Sequence, residues 1–60
     1  MNKIKELRER LGITQNELAE KLGVPRSTVS MWELGESSPK FQTIPKLAEQ
    51  LKCEIKELFG

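Results

Sequence analysis

The side chains of this 60-residue chain with chemistry to offer are hydrogen-bonding ones, concentrated between residues 14 and 40. Arg26, Ser27, Thr28, Ser30 and Met31 fall in one short run. The arginine presents a planar fork of donors, and each hydroxyl can both donate and accept. Thr14 and Gln15 stand upstream of this run, and Lys40, a compact positive charge, stands downstream. Such a set suits reversible recognition of a polar surface better than bond making. Histidine and tyrosine are absent, and neither a P-loop nor a G-x-G-x-x-G occurs. The single cysteine, Cys53, cannot close an intrachain disulfide. Only carboxylates remain for catalysis. Glu6/Glu9, Glu17/Glu20 and Glu54/Glu57 are spaced i, i+3, but each pair falls on a polar helix face with no low-dielectric surroundings to shift a pKa. No enzyme, no cofactor and no metal site are therefore expected.

Two short helices joined by a glycine-centred turn must position the recognition set. Leu18, Ala19 and Leu22 recur at helical spacing, and Val29 and Trp32 do so again after Gly23, so two apolar stripes face each other across the turn. Ala19 is small where the helices would cross, and Gly23 can take a left-handed backbone. Thr14 and Glu17 form a T-x-x-E capping box. The spacing predicts helices over about 15–22 and from 25 or 26 to 34, the latter closed by Gly35. With Val29 and Trp32 inward, Arg26, Ser27, Ser30 and Met31 occupy the outer face, and Thr28 lies beside it. A steeply crossed pair of this kind has the shape that sets one helix into a DNA groove.

Around this pair, Ile4, Leu7 and Leu11 share one face of a first helix over about 2–11, capped by Gly12. Residues 35–39 read as a loop. Ile44, Leu47, Ala48 and Leu51 mark a fourth helix, with Thr43 as its N-cap and Pro45 in its first turn, where proline is tolerated. Ile55, Leu58 and Phe59 give a short fifth helix reached through Lys52 and Cys53. Five helices, no strand and one domain over residues 1–60 are expected.

At Thr14-Gln15, Glu17-Leu18-Ala19, Gly23-Val24 and Val29-Ser30-Met31-Trp32-Glu33 the chain resembles the Cro/C1-type helix-turn-helix regulators, the XRE family, and the resemblance covers nearly all of it. It implies an all-α, compact five-helix, lambda-repressor-like DNA-binding domain whose helix-turn-helix is formed by helices 2 and 3. It further implies that residues 26–34 are the recognition helix, its N-terminal half touching base edges in the major groove. Arg26 is then expected on the O6 and N7 of a guanine. Ser27, Thr28 and Ser30 would serve a phosphate or a base edge. Met31, where the family more often has a basic or amide side chain, would pack on a thymine methyl. Gln15 is implied as a clamp on a phosphate at the helix 2 N-terminus, with Thr14 chiefly a cap. Lys40 is the nearest cation for the flanking strand, since Glu36-Ser37-Ser38 lacks the basic residues often found there. Arg8 and Glu33 match positions that the family uses for a partly buried, structural ion pair, and Cys53 stands where an aliphatic residue is usual, as a small buried hydrophobe.

A chain this short buries only roughly 60% of the surface exposed on unfolding, which leaves thin stability to helix packing alone. The formal net charge is +1. Lys21 and Arg26 face Glu17, Glu20, Glu33 and Glu36 within the central motif, so DNA binding would rest on the placement of charge and would weaken steeply with salt. The lone thiol, the lack of an apolar leader and the lack of a membrane-length apolar run point to the cytoplasm. One domain contacts a short half-site, so a homodimer on a palindromic operator is expected, its recognition helices roughly 34 Å apart. Leu58 and Phe59 are candidates for the dimer contact or for the core. The competing reading is a protein-binding adaptor of the same fold, of antitoxin or anti-repressor type, with Met31 and Leu34 at the contact.

Overall fold

The Thr14 hydroxyl accepts the Glu17 amide N–H at 3.0 Å, and the Glu17 carboxylate accepts the Thr14 N–H at 2.8 Å. With these two donors satisfied, helix α2 runs over Gln15–Leu22. The computed structural model describes residues 3–59. Within them α1 spans Ile4–Arg10, α3 Arg26–Leu34, α4 Ile44–Gln50 and α5 Ile55–Leu58, and no strand occurs among the described residues. Gly23 ends α2 at φ +72° and Gly35 ends α3 at φ +78°, a region closed to most L-residues. Just past each glycine the chain bonds back to its helix, Val24 N–H to the Ala19 carbonyl at 3.0 Å and Glu36 N–H to the Met31 carbonyl at 2.9 Å. The turn at Gly23 brings α3 back into contact with α2.

All five helices contribute to one core. Ile4 and Leu7 of α1, Leu18, Ala19 and Leu22 of α2, and Val29 and Trp32 of α3 are buried against Leu47, Ala48 and Leu51 of the α4 region and Leu58 of α5. Burying a Leu- or Ile-sized side chain contributes about 1.5–3 kcal/mol, so these stripes hold the fold together. Pro39 is buried as well, which pins the far end of the loop after α3.

Three expectations need correction. Helix α1 stops at Arg10, and Leu11, which was expected on its apolar face, is 37% exposed because it lies past the last full turn. The expected start at residue 2 lies outside the described residues. Thr43 occupies the N-cap position of α4 but makes no side-chain capping bond. A 3-10 turn over Phe41–Thr43 leads directly into α4 and leaves Thr43 with a helical backbone, φ −83° and ψ −23°, in place of the extended one from which a hydroxyl caps the first turn. Finally, α5 ends at Leu58, which is fully buried, whereas Phe59 is 58% exposed and lines an apolar hollow with Phe41, Ile44, Pro45 and Ile55. Leu58 is therefore committed to the core of its own chain. Pro45 sits in the first turn of α4 as expected.

Candidate nucleic-acid interface

Because Val29 and Trp32 anchor α3 in the core, the opposite face of that helix is presented outward. Arg26 and Ser27 are exposed at its N-terminus, Met31 is exposed one turn further on, and Thr28 and Ser30 are half-buried on its flanks. Pro25 precedes the helix without a side-chain cap, and the first turn of α3 has no acidic residue. The start of α3 thus offers free N–H groups and a cation with no nearby carboxylate on the same turn.

Two grooves border α3. The first is lined by Arg8, Gly12, Ile13, Thr14, Gln15, Asn16 and Arg26, and so joins the α2 N-terminus to the start of α3. Thr14 uses its oxygen as an acceptor in the cap, which leaves its O–H to donate outward. The second groove is lined by Val24, Thr28, Trp32, Ser37, Ser38, Lys40 and Thr43. The eight sequence-predicted residues thus fall into three groups: Thr14, Gln15 and Arg26 in one groove, Thr28 and Lys40 in the other, and Ser27, Ser30 and Met31 outside both. Asn16, Ser37, Ser38 and Thr43 line the grooves without having been singled out. Asn16 could have been found from its place on the first turn of α2, and Ser37-Ser38 from their hydroxyls rather than their missing charge.

Gln15 is not a loose surface amide. Its Nε2 donates to Glu33 Oε1 at 2.9 Å. The same carboxylate accepts from Arg8 Nε at 2.7 Å and Nη2 at 3.2 Å, and Arg8 Nη1 donates to the Ile13 carbonyl at 2.8 Å. The Arg8 and Glu33 side chains are only 10% and 4% exposed. Burial pushes the Glu33 carboxyl up, but the hydrogen bonds from Arg8 and Gln15, with the charges of Arg8 and Lys5, outweigh it and hold the group below the usual carboxylate range. The hydrogen bond to Glu33 raises the Arg8 guanidinium further, against desolvation. This pair is buried and forked, as the family resemblance implied, and it also reaches the interface.

One member of each i, i+3 carboxylate pair is engaged in a cap or an ion pair. Glu17 completes the α2 cap, Glu57 Oε1 accepts the Glu54 N–H at 3.2 Å, and Glu6 meets Lys3 and Arg10 at the surface at 3.6 and 3.4 Å. Cys53 is half-buried against the core, where desolvation and then Glu57 push its thiol up. No helix among the described residues is long and apolar enough to cross a membrane.

Two apposed helices with a protruding second member, held by a capping box and a left-handed glycine, define a helix-turn-helix domain. The family model described as helix-turn-helix matches residues 4–58, and the chain belongs to the Cro/C1-type, or XRE, family of helix-turn-helix regulators. This is a family of DNA-binding transcriptional regulators, a non-enzymatic kind of function. The chain is 39% identical over 57 residues to an uncharacterized HTH-type transcriptional regulator of Archaeoglobus fulgidus, covering 95% of this chain and 81% of that one. Among solved structures it is similar to the P22 c2 repressor in complex with a synthetic operator, with a TM-score of 0.86 and 31% identity over 92% of this chain and 83% of that chain. It is also similar to the N-terminal DNA-binding domain of SinR from Bacillus subtilis, with a TM-score of 0.83 and 33% identity over 95% and 84% of the two chains.

Proposed function

We propose that this protein binds double-stranded DNA sequence-specifically, with α3 in the major groove, and regulates transcription from a palindromic operator as a homodimer in the cytoplasm. The observation that carries this reading is the outer face of α3, on which Arg26, Ser27 and Met31 stand exposed beside two grooves that carry hydroxyl, amide and cationic side chains, while its inner face is locked in the core. A major groove about 12 Å wide admits one helix, and the phosphate ridges on either side would then lie along the two grooves. Arg26 is assigned to a guanine edge, Ser27 and Ser30 to base edges or phosphates, and Met31 to a thymine methyl. Thr14 and Gln15 hold one strand's backbone, and Thr28 and Lys40 the other's. Phosphate contacts fix register and base contacts supply specificity, so both sets are needed. Of the two residues read as candidates for the dimer contact, Phe59 remains at the surface.

A duplex selected from a random pool by the protein supplies the probe, and its affinity is followed by fluorescence anisotropy as salt is raised. The logarithm of the association constant should fall linearly with log salt, by about 0.9 for each phosphate neutralised. Failure to select any duplex, or affinity indifferent to salt, would overturn the reading and favour a protein-binding adaptor.

A further inference from the structure

We infer that Glu33, seated in the recognition helix, is a positioning residue for DNA binding: it holds the Gln15 amide in place for a backbone phosphate, and Arg8 makes that arrangement tolerable by neutralising the carboxylate. The inference rests on the DNA-binding reading above and adds a role to a pair otherwise understood as structural. The geometry is a relay through three helices. Arg8 on α1 grips both oxygens of Glu33 on α3 at 2.7 and 3.2 Å, and the same carboxylate takes one N–H of Gln15 on α2 at 2.9 Å.

Three consequences follow from the chemistry. An amide nitrogen carries two N–H groups, so tying one to a buried anion aims the other and removes the rotamer freedom that a free glutamine would lose on binding. Gln15 lines the groove that also contains Thr14, Asn16 and Arg26, so the aimed N–H belongs to the surface proposed to face a phosphate. Glu33 shares α3 with Arg26, so the phosphate contact is indexed to the very helix that reads bases, and register and readout move together. A bare carboxylate here would repel the phosphate. The forked guanidinium, itself tied to the Ile13 carbonyl at 2.8 Å, cancels that charge without reaching into solvent.

The test compares wild type, Gln15→Ala, the apolar replacement Arg8→Met/Glu33→Leu, and the triple variant, on the selected duplex and on scrambled duplexes. A buried ion pair exchanged for apolar side chains of similar size commonly keeps the fold, which separates positioning from stability. Gln15→Ala and the double replacement should each weaken binding to all sequences by about three- to tenfold, the worth of one ordered side chain. The triple variant should be no weaker than either. In parallel, NMR relaxation of the Gln15 side-chain amide in the wild-type protein should show it as ordered as the backbone, unlike the exposed Gln42. A Gln15 amide as mobile as that of Gln42 overturns the inference, whether or not the double replacement folds. So does a double replacement that binds like wild type, or an additive loss in the triple variant, while Gln15→Ala still weakens binding. Loss of no affinity in both Gln15→Ala and Arg26→Ala would instead overturn the DNA-binding site itself.

Discussion

Replacing Arg8 by alanine should remove a large share of the stability of this domain. The guanidinium makes two hydrogen bonds to Glu33 and one to the Ile13 carbonyl, and the Glu33 side chain it would abandon is 4% exposed. A carboxylate stranded in that position costs about 3–5 kcal/mol. A 60-residue domain has a total of only roughly 3–9 kcal/mol. The variant should therefore be partly or wholly unfolded in water, whereas removing the exposed partners Lys3 or Arg10 should cost less than about 0.5 kcal/mol. Urea denaturation followed by helical circular dichroism measures the loss. The same reasoning requires recovery: Arg8→Met/Glu33→Leu should regain most of what Arg8→Met alone loses, because the penalty lies in the unpaired charge and not in the missing attraction. Arg8→Ala costing under about 1 kcal/mol, or a double replacement no more stable than Arg8→Met, would refute this account of the pair.

Acid should expose the same group. The Glu33 pKa is lower in the folded chain than its unfolded value of about 4.3, so its contribution is complete above that pH and is lost as pH falls through the folded value. Urea midpoints should hold steady from neutrality to about pH 5 and drop below about pH 4, with a shallower drop in Arg8→Met/Glu33→Leu. Gly23→Ala meets no atom within 4 Å, so its cost should be that of the φ +72° backbone alone, about 1–2 kcal/mol in a thermal melt. Arg26→Ala should relax preference at one base position by about 1–3 kcal/mol in a selection experiment while leaving urea stability within about 0.5 kcal/mol. Lys40→Ala should weaken all sequences alike and reduce the salt slope by about 1.

The helices and their inward faces were legible in the sequence where a side chain's role depends on its immediate neighbours. Thr14 and Glu17 cap each other three residues apart, Gly23 and Gly35 mark helix ends, and the Leu18–Leu22 and Val29–Trp32 stripes are set by local period. What could not be read this way depends on contacts distant along the chain. Whether Leu58 or Phe59 enters the core is decided by where α5 meets α4. Thr43 has the residue type of a cap, but the 3-10 turn before it already sets a helical backbone there, so its hydroxyl is not presented to the first turn of α4. At the candidate interface, the outward placement of Arg26, Ser27 and Met31 followed from the face opposite Val29 and Trp32. The bond from Gln15 to Glu33 spans 18 residues and three helices meet around it, so no pattern within either segment announces it. Lys40 and Thr28 share a groove for the same reason: the buried Pro39 brings the loop back alongside α3.

Division of labour along α3 has a consequence for how such a protein can change. Stability resides in Val29 and Trp32, whereas Arg26, Ser27 and Met31 support no neighbour in the core. On the proposed assignment, exchanging those three would alter the DNA word being read without spending folding free energy, since surface replacements of this sort stay within about 0.5 kcal/mol. If these three side chains read the bases as proposed, one scaffold can be recoded for new operators at three codons, and even a small, marginally stable domain can diversify its targets without first acquiring a sturdier frame.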